Sequence, residues 1–466
     1  MRDKINEECA VFGVNISSDD AGETTYNALL TLQHRGQEGA GIAVLSDNKI
    51  FSYKDTGLVS EVFSNEKLSK LPKSNFAIGH CRYSTTGTVT QENTQPFVIE
   101  YLTGRIATVH NGNIINASEI RDELKTKGVN FASTSDSEVV SNLIAYETVT
   151  CKDVIKGITN ASKQLRGSFS LCILTSDGQL IAVRDPWGFR PLSIGENHLG
   201  MAVASESCAL DGLNFKTLRD VEPGEIIVIK EGKITNNLIY KTEKTGLCIF
   251  EYVYFARTDS IIDGLSVYDA RFRMGRILAQ EHPIKADIVC GVPDSGIEAA
   301  MGYSFQSGIP YSTAFVKNRY IGRSFICPTQ AQRESAVKLK LNPLRTNVEG
   351  KSIILIDDSI VRGTTCAKIV SCLKEAGATY VHMLISSPPF KHSCHFGTDI
   401  DNEENLIANN FTTDEVCKKI GADSLGYISI KGLEHACSGC NINLCKGCFT
   451  GEYPIKVGNI SKYLFE

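Results

Sequence analysis

The chain has 466 residues, of which 42% are hydrophobic and 22% are charged, and its formal net charge at pH 7 is -5. This length predicts two or three domains, and a mean hydropathy of -0.09 is that of an ordinary soluble globular protein. No apolar run is long enough to span a membrane, and the negative net charge argues against nonspecific nucleic-acid binding. Sixteen cysteines without a secretory signal indicate reduced cytosolic thiols, some of which should be ligands or nucleophiles.

The first eight residues, M-R-D-K-I-N-E-E, are charged and are followed at once by a strand-like run that starts at Cys9. We expect them to be a removable leader. Removal would leave Cys9 with a free α-amino group, whose pKa near ~8 lets it act as the base for the thiol. The alternative is that Cys9 is a small buried residue at the start of a strand. A plastid form would need a transit peptide, which this segment does not resemble, so we expect a cytoplasmic protein.

Four polar, glycine-rich clusters lie between apolar, strand-like runs in the first half of the chain. They read L-Q-H-R-G-Q-E-G-A-G, G-H-C-R-Y-S-T-T-G, H-N-G-N-I and S-T-S-D-S-E, at residues 32–41, 79–87, 110–114 and 133–138. Together with Cys9 they resemble the N-terminal-nucleophile glutamine amidotransferases over residues 9–239. That resemblance implies a four-layered αββα sandwich in which Cys9 is the catalytic nucleophile.

The residue types in these clusters suit the hydrolysis of glutamine. Cleavage of a primary amide passes through an oxyanion, to which the Asn111 side chain and the Gly112 N–H group can donate. Glutamine also carries a carboxylate and an ammonium group, and the family positions that bind them match Arg82 and Asp136. Each residue alone has an ordinary explanation, since N-G is a common hairpin turn. Their joint occurrence favours a catalytic site.

The end of the first domain is marked by polar and turn-forming residues near positions 230–246. Just before it, Arg184 and Arg190 in R-D-P-W-G-F-R-P-L are interpreted either as buried ion-pair partners or as ligands. The expected divisions are a leader at 1–8, a glutaminase domain at 9–240, and a second domain at 247–466 that ends in a cysteine-rich segment.

The second half alternates strand-like and helical patterns. Residues 248–260 are strand-like, residues 267–280 form an amphipathic segment, and residues 288–297 predict a strand, a turn and the start of a helix. The continuous aliphatic run at 353–356 is typical of a strand that is buried on both faces in a parallel sheet. This half is therefore predicted to be an α/β domain.

Asp357 and Asp358 follow that strand at its carboxyl end, which is the edge where open α/β sheets bind ligands. The next residues, S-I-V-R-G-T-T, offer hydroxyls and backbone N–H groups that can surround a phosphate before a helix begins. Two acids beside such a turn suit a phosphosugar with Mg2+ better than an ordinary strand-to-helix turn. The stretch resembles the phosphoribosylpyrophosphate-binding signature of the type I phosphoribosyltransferases.

By that resemblance Asp357 and Asp358 bind the ribose and Mg2+, and Ser295 in the P-D-S-G loop lies near the metal. The basic segment 316–344 is expected to close over the bound ligand as a lid, and the alternative is a solvated basic helix. The other residues expected to bind phosphoribosylpyrophosphate are Ser359, Val361, Arg362, Gly363, Thr364, Thr365 and Lys317.

The two halves together resemble the glutamine phosphoribosylpyrophosphate amidotransferases over essentially the whole chain. The family implies that ammonia released from glutamine displaces pyrophosphate from phosphoribosylpyrophosphate, giving phosphoribosylamine in the committing step of purine synthesis. It also implies a homotetramer that purine nucleotides inhibit. One alternative is a sensor protein with an inactive amidotransferase half, which the complete set of site residues opposes. Another is an amidotransferase with a different acceptor, such as a fructose phosphate, which the phosphoribosyl signature opposes.

The C-terminal segment contains two C-x-x-C pairs. Their spacing alone predicts a zinc site built from Cys437, Cys440, Cys445 and Cys448. One subgroup of the family instead carries a 4Fe-4S cluster, which would be structural because the reaction transfers no electrons. Carried over to this chain, the cluster ligands are Cys248, Cys394, Cys445 and Cys448.

Overall fold

A computed structural model describes residues 9–83, 90–240, 242, 244–318, 341–398, 400 and 402–457. The expected leader and most of the expected lid lie outside the described residues. Within the described ranges, no helix is both long enough and apolar enough to cross a membrane.

The first half of the described chain is built from two antiparallel sheets and the helices that cover them. Its helices are Ala21–Thr31, Val59–Val62, Asn65–Leu68, Ala117–Thr126, Asp136–Cys151, Val154–Gln164 and Ser207–Gly212. Its strands are β1 (Ala10–Ile16), β2 (Gly39–Ser46), β3 (Lys49–Thr56), β4 (Phe76–Arg82), β5 (Phe97–Tyr101), β6 (Gly104–Ile114), β7 (Gly167–Thr175), β8 (Leu180–Arg184), β9 (Ser193–Asn197), β10 (Gly200–Ala204), β11 (Lys216–Asp220), β12 (Glu225–Lys230) and β13 (Lys233–Ile239).

The two sheets stack face to face, with helices on both outer sides. In the described chain the strand orders are β11-β9-β10-β1-β4-β2-β3 and β13-β12-β8-β7-β6-β5. Strand β1 shows why both faces must be apolar: Phe12 packs with Leu29 of the outer helix, whereas Val11 packs with Val109 between the sheets. A strand covered on both sides loses the usual polar alternation. The αββα sandwich is therefore confirmed.

The second half is centred on a parallel sheet. Its helices are Val267–Glu281, Ile297–Ser307, Arg345–Val348, Thr364–Glu375, Ile407–Asn410, Thr413–Ile420, Ile430–Ala436 and Gly447–Thr450, with a π-helical turn at Glu251–Phe255 and a 3-10 turn at Glu403–Asn405. Its strands are β14 (Leu247–Cys248), β15 (Ile261–Ile262), β16 (Leu265–Ser266), β17 (Ile288–Gly291), β18 (Phe315–Lys317), β19 (Leu341–Pro343), β20 (Ser352–Asp357), β21 (Tyr380–Ile385), β22 (Ser424–Tyr427) and β23 (Leu444–Cys445).

Strand β20 lies inside the parallel sheet, whose order over the described residues is β17-β20-β21-β22. Ile354 packs into the core on one face of this sheet, and Ile353 packs into the core on the other. This explains the continuous aliphatic run, and the α/β class predicted for this half is confirmed. The two acids that follow the run are carried to the carboxyl edge of the sheet.

The strand expected over residues 248–260 is wrong. Only Leu247–Cys248 forms a strand there, and the chain then turns into the π-helical turn Glu251–Phe255. The Arg271 side chain donates to the carbonyls of Tyr252 and Ala256, each at 2.8 Å. These tertiary contacts override the β-propensity of the aromatic residues in this segment. Arg271 itself is buried, with its donors satisfied by these carbonyls.

Candidate functional site

Cys9 lies immediately before β1 and is buried, with 8% of its surface exposed. Its thiol is within hydrogen-bond distance of Tyr83 just beyond β4: the Tyr83 N–H group donates to Sγ at 3.4 Å, and Sγ is 3.3 Å from the Tyr83 carbonyl. Antiparallel pairing of β1 with β4 sets this contact, since Ala10 is opposite Cys81. The sheet therefore fixes the thiol at the end of two paired strands.

Asn111 and Gly112 lie near the end of β6 in the facing sheet. The Asn111 side chain is buried, and among the described residues no acceptor lies within hydrogen-bond distance of its Nδ2 atom. Gly112 has φ +150°, and a Cβ atom there would stand 2.0 Å from the Ser168 carbonyl, so only glycine fits. A buried amide donor without an acceptor is costly unless a ligand accepts its hydrogen bond. This observation fits an oxyanion site.

Asp136 and Arg82 are both buried at the same end of the sandwich. Asp136 is the first residue of the helix Asp136–Cys151, and its Oδ2 atom accepts the N–H group of Ile114 at 2.9 Å. Burial lowers the pKa of Arg82, against the opposing effects of Cys9, Glu38 and Asp136. These charges are therefore close enough to interact around one centre, as expected for residues that bind the two charged groups of glutamine.

A buried polar link holds the two sheets together behind this centre. The His80 ring on β4 contacts the carbonyl of His110 on β6 at 3.1 Å, and burial lowers the pKa of His80 to about 3, so the ring is neutral at pH 7. Gln95 binds the same strand twice, accepting from the His110 N–H group and donating to its carbonyl. Gln95 was not predicted from the sequence, since nothing there indicates that its side chain would form two hydrogen bonds to the main chain of another strand.

At the second centre, Asp357 and Asp358 are 0% and 1% exposed at the carboxyl end of β20. The Ser295 hydroxyl donates to Asp358 Oδ1 at 2.6 Å, and the Ser359 hydroxyl donates to the other oxygen of Asp358. The P-D-S-G loop reaches this point because the Val292 N–H group donates to the Ile356 carbonyl at 2.8 Å. The structure therefore brings together the acids and the serine that were expected near Mg2+.

The loop after the acids turns directly into the helix Thr364–Glu375. Gly363 has φ +85°, and a Cβ atom there would stand 2.8 Å from Cδ1 of Ile407. The helix begins with Thr364 and Thr365, so their N–H groups are among those that a helix leaves open to an anion. Val361 is buried, and Lys317 on β18 forms an ion pair with Asp294 of the P-D-S-G loop.

The four cysteines expected to hold a cluster come together from three parts of the chain. Cys248 on β14 is opposite Cys445 on β23 in a parallel pair. The Cys448 carbonyl accepts the N–H groups of residues 391 and 392, each at 3.1 Å, which places the Cys394 segment alongside. The pKa of Cys448 is raised first by burial and then by the neighbouring thiols of Cys248, Cys394 and Cys445. These four thiols are therefore close enough to interact.

Cys437 and Cys440 belong to different surroundings. Burial and the neighbouring Cys440 raise the pKa of Cys437, and Cys440 interacts with Tyr252. In the part of the chain that the structure describes, no three His, Cys, Asp or Glu side chains converge on a point that would hold a single metal ion. The zinc alternative requires such convergence and gains no support. The thiols of a 4Fe-4S cluster bind four separate irons, so they stand further apart.

Both arginines of the R-D-P-W-G-F-R-P-L segment are buried ion-pair partners rather than exposed ligands. Arg184 binds both carboxylate oxygens of Asp263, at 2.7 and 2.9 Å. Arg190 pairs with Glu251 at 3.5 Å and donates to the Thr398 hydroxyl at 3.2 Å. Each pair joins the first half of the chain to the second.

Known proteins resemble this chain in both sequence and structure. A family described as the glutamine amidotransferase domain matches residues 80–212. The amidophosphoribosyltransferase of Methanocaldococcus jannaschii is 47% identical over 98% of this chain and 99% of its own length. That of Bacillus subtilis is 44% identical over 97% of this chain and 95% of its own length. The solved B. subtilis glutamine phosphoribosylpyrophosphate amidotransferase complexed with ADP and GMP superposes with a TM-score of 0.88 at 43% identity, covering 97% of this chain and 98% of that one.

Fold and site together define a glutamine amidotransferase joined to a parallel-sheet transferase domain of the phosphoribosyltransferase kind. With relatives this similar over nearly its full length, the chain belongs to the amidophosphoribosyltransferase family. The function is thus the glutamine-dependent first step of purine biosynthesis, and the enzyme is a glycosyltransferase. The family, function and enzyme class predicted from the sequence are confirmed.

Proposed function

We propose that Cys9 releases ammonia from glutamine and that the ammonia is consumed at the acid-lined end of β20. The observation that carries this proposal is that one chain contains a buried thiol at the end of one sheet, a buried amide donor without an acceptor, Asn111 Nδ2, in the facing sheet, and two buried adjacent acids, Asp357 and Asp358. The matching divisions are a leader at 1–8, a glutaminase domain at 9–240 and a phosphoribosyltransferase domain at 247–466. Each half then performs one of the two reactions.

In the first half, the Cys9 thiolate attacks the side-chain amide carbon of glutamine, and its own α-amino group accepts the thiol proton once the leader is removed. Asn111 Nδ2 and the Gly112 N–H group donate to the oxyanion that forms. The C–N bond breaks, ammonia leaves with the returned proton, and water hydrolyses the thioester to glutamate. Arg82 and Asp136 orient the substrate by pairing with its carboxylate and its ammonium group.

In the second half, ammonia attacks the anomeric carbon of phosphoribosylpyrophosphate, the bond to pyrophosphate breaks, and phosphoribosylamine forms. Asp357 and Asp358 bind the ribose, and the loop from Ser359 to the start of the next helix binds the 5′-phosphate. Lys317 adds positive charge to this site. Carboxylate and hydroxyl oxygens suit Mg2+, so Ser295, Asp357 and Asp358 would hold it. When bound, Mg2+ would neutralise charge on the pyrophosphate.

The direct test measures pyrophosphate release with each substrate omitted in turn. Release that requires phosphoribosylpyrophosphate and either glutamine or ammonia is the expected result. Glutamine-dependent formation of an aminosugar phosphate from a fructose phosphate without any pyrophosphate release, or binding of the ligands without turnover, would contradict the proposal.

We further propose that Cys248, Cys394, Cys445 and Cys448 hold a 4Fe-4S cluster with a structural role. The fit is supported by the approach of these thiols from three segments. Segment 394–398 also contacts the oxyanion strand β6 and its neighbour: Asn113 Nδ2 donates to the His395 carbonyl at 2.9 Å, and the Ser168 hydroxyl donates to the Phe396 carbonyl at 2.8 Å. A cluster here would therefore hold the second half against the glutaminase centre.

Protein purified without oxygen is expected to contain about four irons and about four sulfides per chain. Cys448→Ser should lose the cluster and its visible absorption, because it removes a ligand. Cys440→Ser is the matched control from the neighbouring C-x-x-C pair and should retain both. If the purified protein contained zinc instead of iron, and both Cys448→Ser and Cys440→Ser lost that zinc, the zinc alternative would be supported.

Regulation by purine nucleotides and assembly as a homotetramer are proposed from the family. The related B. subtilis enzyme was solved in complex with ADP and GMP. Rates measured with these nucleotides and sedimentation of the purified protein test the two proposals. Unchanged rates, or a monomer at working concentration, would refute them.

A further inference from the structure

Arg35 is buried where the two halves of the chain meet, and it touches the residue that carries the nucleophile. Its Nε atom donates to the main-chain carbonyl of Cys9 at 3.2 Å. Its two terminal nitrogens donate to both carboxylate oxygens of Glu251, at 2.9 and 2.8 Å, and one of them also donates to Glu206 at 2.7 Å. Arg35 and Glu206 come from the first half, and Glu251 comes from the second.

All three charged side chains are fully buried, with 0% of each exposed. Burial disfavours the charged form of Glu206, but His34 and Arg35 outweigh this effect and hold its pKa well below the usual range. The free-energy cost of removing these charges from water offsets much of their mutual attraction, so a buried ion network adds little to the stability of the fold. It does fix the orientation of its members, because the planar guanidinium group binds a carboxylate through two parallel hydrogen bonds.

Glu251 is itself held firmly by the second half. It begins the π-helical turn Glu251–Phe255, whose carbonyls accept hydrogen bonds from Arg271. Arg271 also donates to the Thr258 hydroxyl at 3.2 Å, and that hydroxyl donates to Glu298 at 2.9 Å. Glu298 lies in the first turn of the helix that follows the P-D-S-G loop. The main chain that carries Glu251 is therefore positioned by elements of the phosphoribosyl-binding half, and its carboxylate reaches Arg35 and, at 3.5 Å, Arg190 of the first half.

We propose that Glu251 is a positioning residue for the glutaminase reaction: by fixing Arg35 it fixes the main chain of Cys9. The proposal rests on the proposed role of Cys9. A shift of the Cys9 main chain would move its thiol and its α-amino group together, out of register with the proposed oxyanion donors Asn111 and Gly112 on the facing sheet. Misplacement of a catalytic group by about 1 Å can cost ~10²-fold in rate. The second half thereby contributes a side chain on which the first half depends for its chemistry.

The test compares Glu251→Gln with wild type in the full-length protein. The substituted side chain has the same size as that of Glu251, but it presents an amide nitrogen to Arg35 in place of one carboxylate oxygen. We expect the kcat for glutamine hydrolysis to fall by about 10- to 100-fold with little change in KM, since Arg82 and Asp136 still bind the substrate. Alkylation of Cys9 by a chloromethyl ketone analogue of glutamine should slow by a similar factor. Product formation from added ammonia should stay within about 2-fold, because that reaction does not use Cys9.

Glu225→Gln is the matched control, since Glu225 is also fully buried and also accepts two hydrogen bonds from one arginine, Arg219 at 2.7 Å each. This control should leave the alkylation rate unchanged. Arg35→Lys keeps the charge but removes the planar fork, so it should reproduce the loss of kcat even if Glu251→Gln folds poorly.

If Glu251→Gln and Arg35→Lys each lost glutamine-dependent and ammonia-dependent product formation to the same extent, the role of Glu251 would be merely structural and the proposal would be overturned. Unchanged alkylation in Arg35→Lys would overturn it as well. Failure of the proposed function is distinct, because wild-type protein would then show no turnover that depends on glutamine.

Discussion

Product formation from glutamine is expected to fall by at least ~10³-fold in Cys9→Ser, while product formation from added ammonia continues. Serine has the shape of cysteine but a far weaker nucleophile, and its neighbours are unchanged: Tyr83 still lies against the side chain. The second reaction needs only ammonia and does not use the thiol. Parallel pyrophosphate-release assays with glutamine and with ammonium salt measure the two rates.

Cys151→Ser is the control for this experiment, because Cys151 ends a helix of the same half and lies outside the site. It should retain both activities. Equal loss of both activities in a folded Cys9→Ser protein would show that the two reactions do not occupy separate centres. N-terminal sequencing completes the test: a fully active mature chain that still starts at Met1 would exclude removal of the leader.

The paired change Asp357→Asn with Asp358→Asn is expected to remove the second reaction and spare the first. Each lost charge-assisted contact is worth about 1.5–3 kcal/mol, so affinity for phosphoribosylpyrophosphate with Mg2+ should fall by roughly 10²- to 10⁴-fold. Basal hydrolysis of glutamine should remain, because the acids lie at the end of β20 and not beside Cys9. Calorimetry measures the binding, and glutamate release measures the hydrolysis.

Asp287→Asn is the matched control, since Asp287 is a carboxylate at the opposite, amino-terminal edge of the same sheet, where it accepts the Ser352 N–H group at 2.8 Å. It should leave binding unchanged. If the paired change left binding unchanged too, the two acids would have no role in holding the ligand.

Much of the site was predictable because its chemistry is local in sequence. Asn111 and Gly112 are adjacent, Asp357 and Asp358 end one aliphatic run, and S-I-V-R-G-T-T follows without a gap. Strand β20 was predictable for the same reason, since a fully apolar run of that length between a glycine and two acids leaves few other interpretations. Such features depend on neighbours within a few residues, which the sequence shows directly.

The π-helical turn Glu251–Phe255 was not predictable, and neither was the burial of Arg271. The aromatic residues of that segment have high β-propensity, and a charged side chain such as Arg271 is buried only where acceptors satisfy its donors, which the sequence of its own helix does not show. The contacts between the turn and Arg271, and the contact of Glu251 with Arg35, which lies 216 residues earlier, determine the conformation of this segment. The periodicity of a helix or of a strand does not contain that information, because the partners lie in other elements.

The sequence by itself determined the two chemistries, the family and the identity of the residues proposed to act on glutamine and on phosphoribosylpyrophosphate. Only the tertiary structure decided which distant segments contact one another. The C-x-x-C spacing left a zinc site open, whereas the structure brings Cys445 and Cys448 beside Cys248 and Cys394, the set that the family resemblance implied; it also makes Arg184 and Arg190 interface ion pairs. The physical reason is that grouping depends on which strands pair and which faces are buried, and these are properties of the whole packed chain.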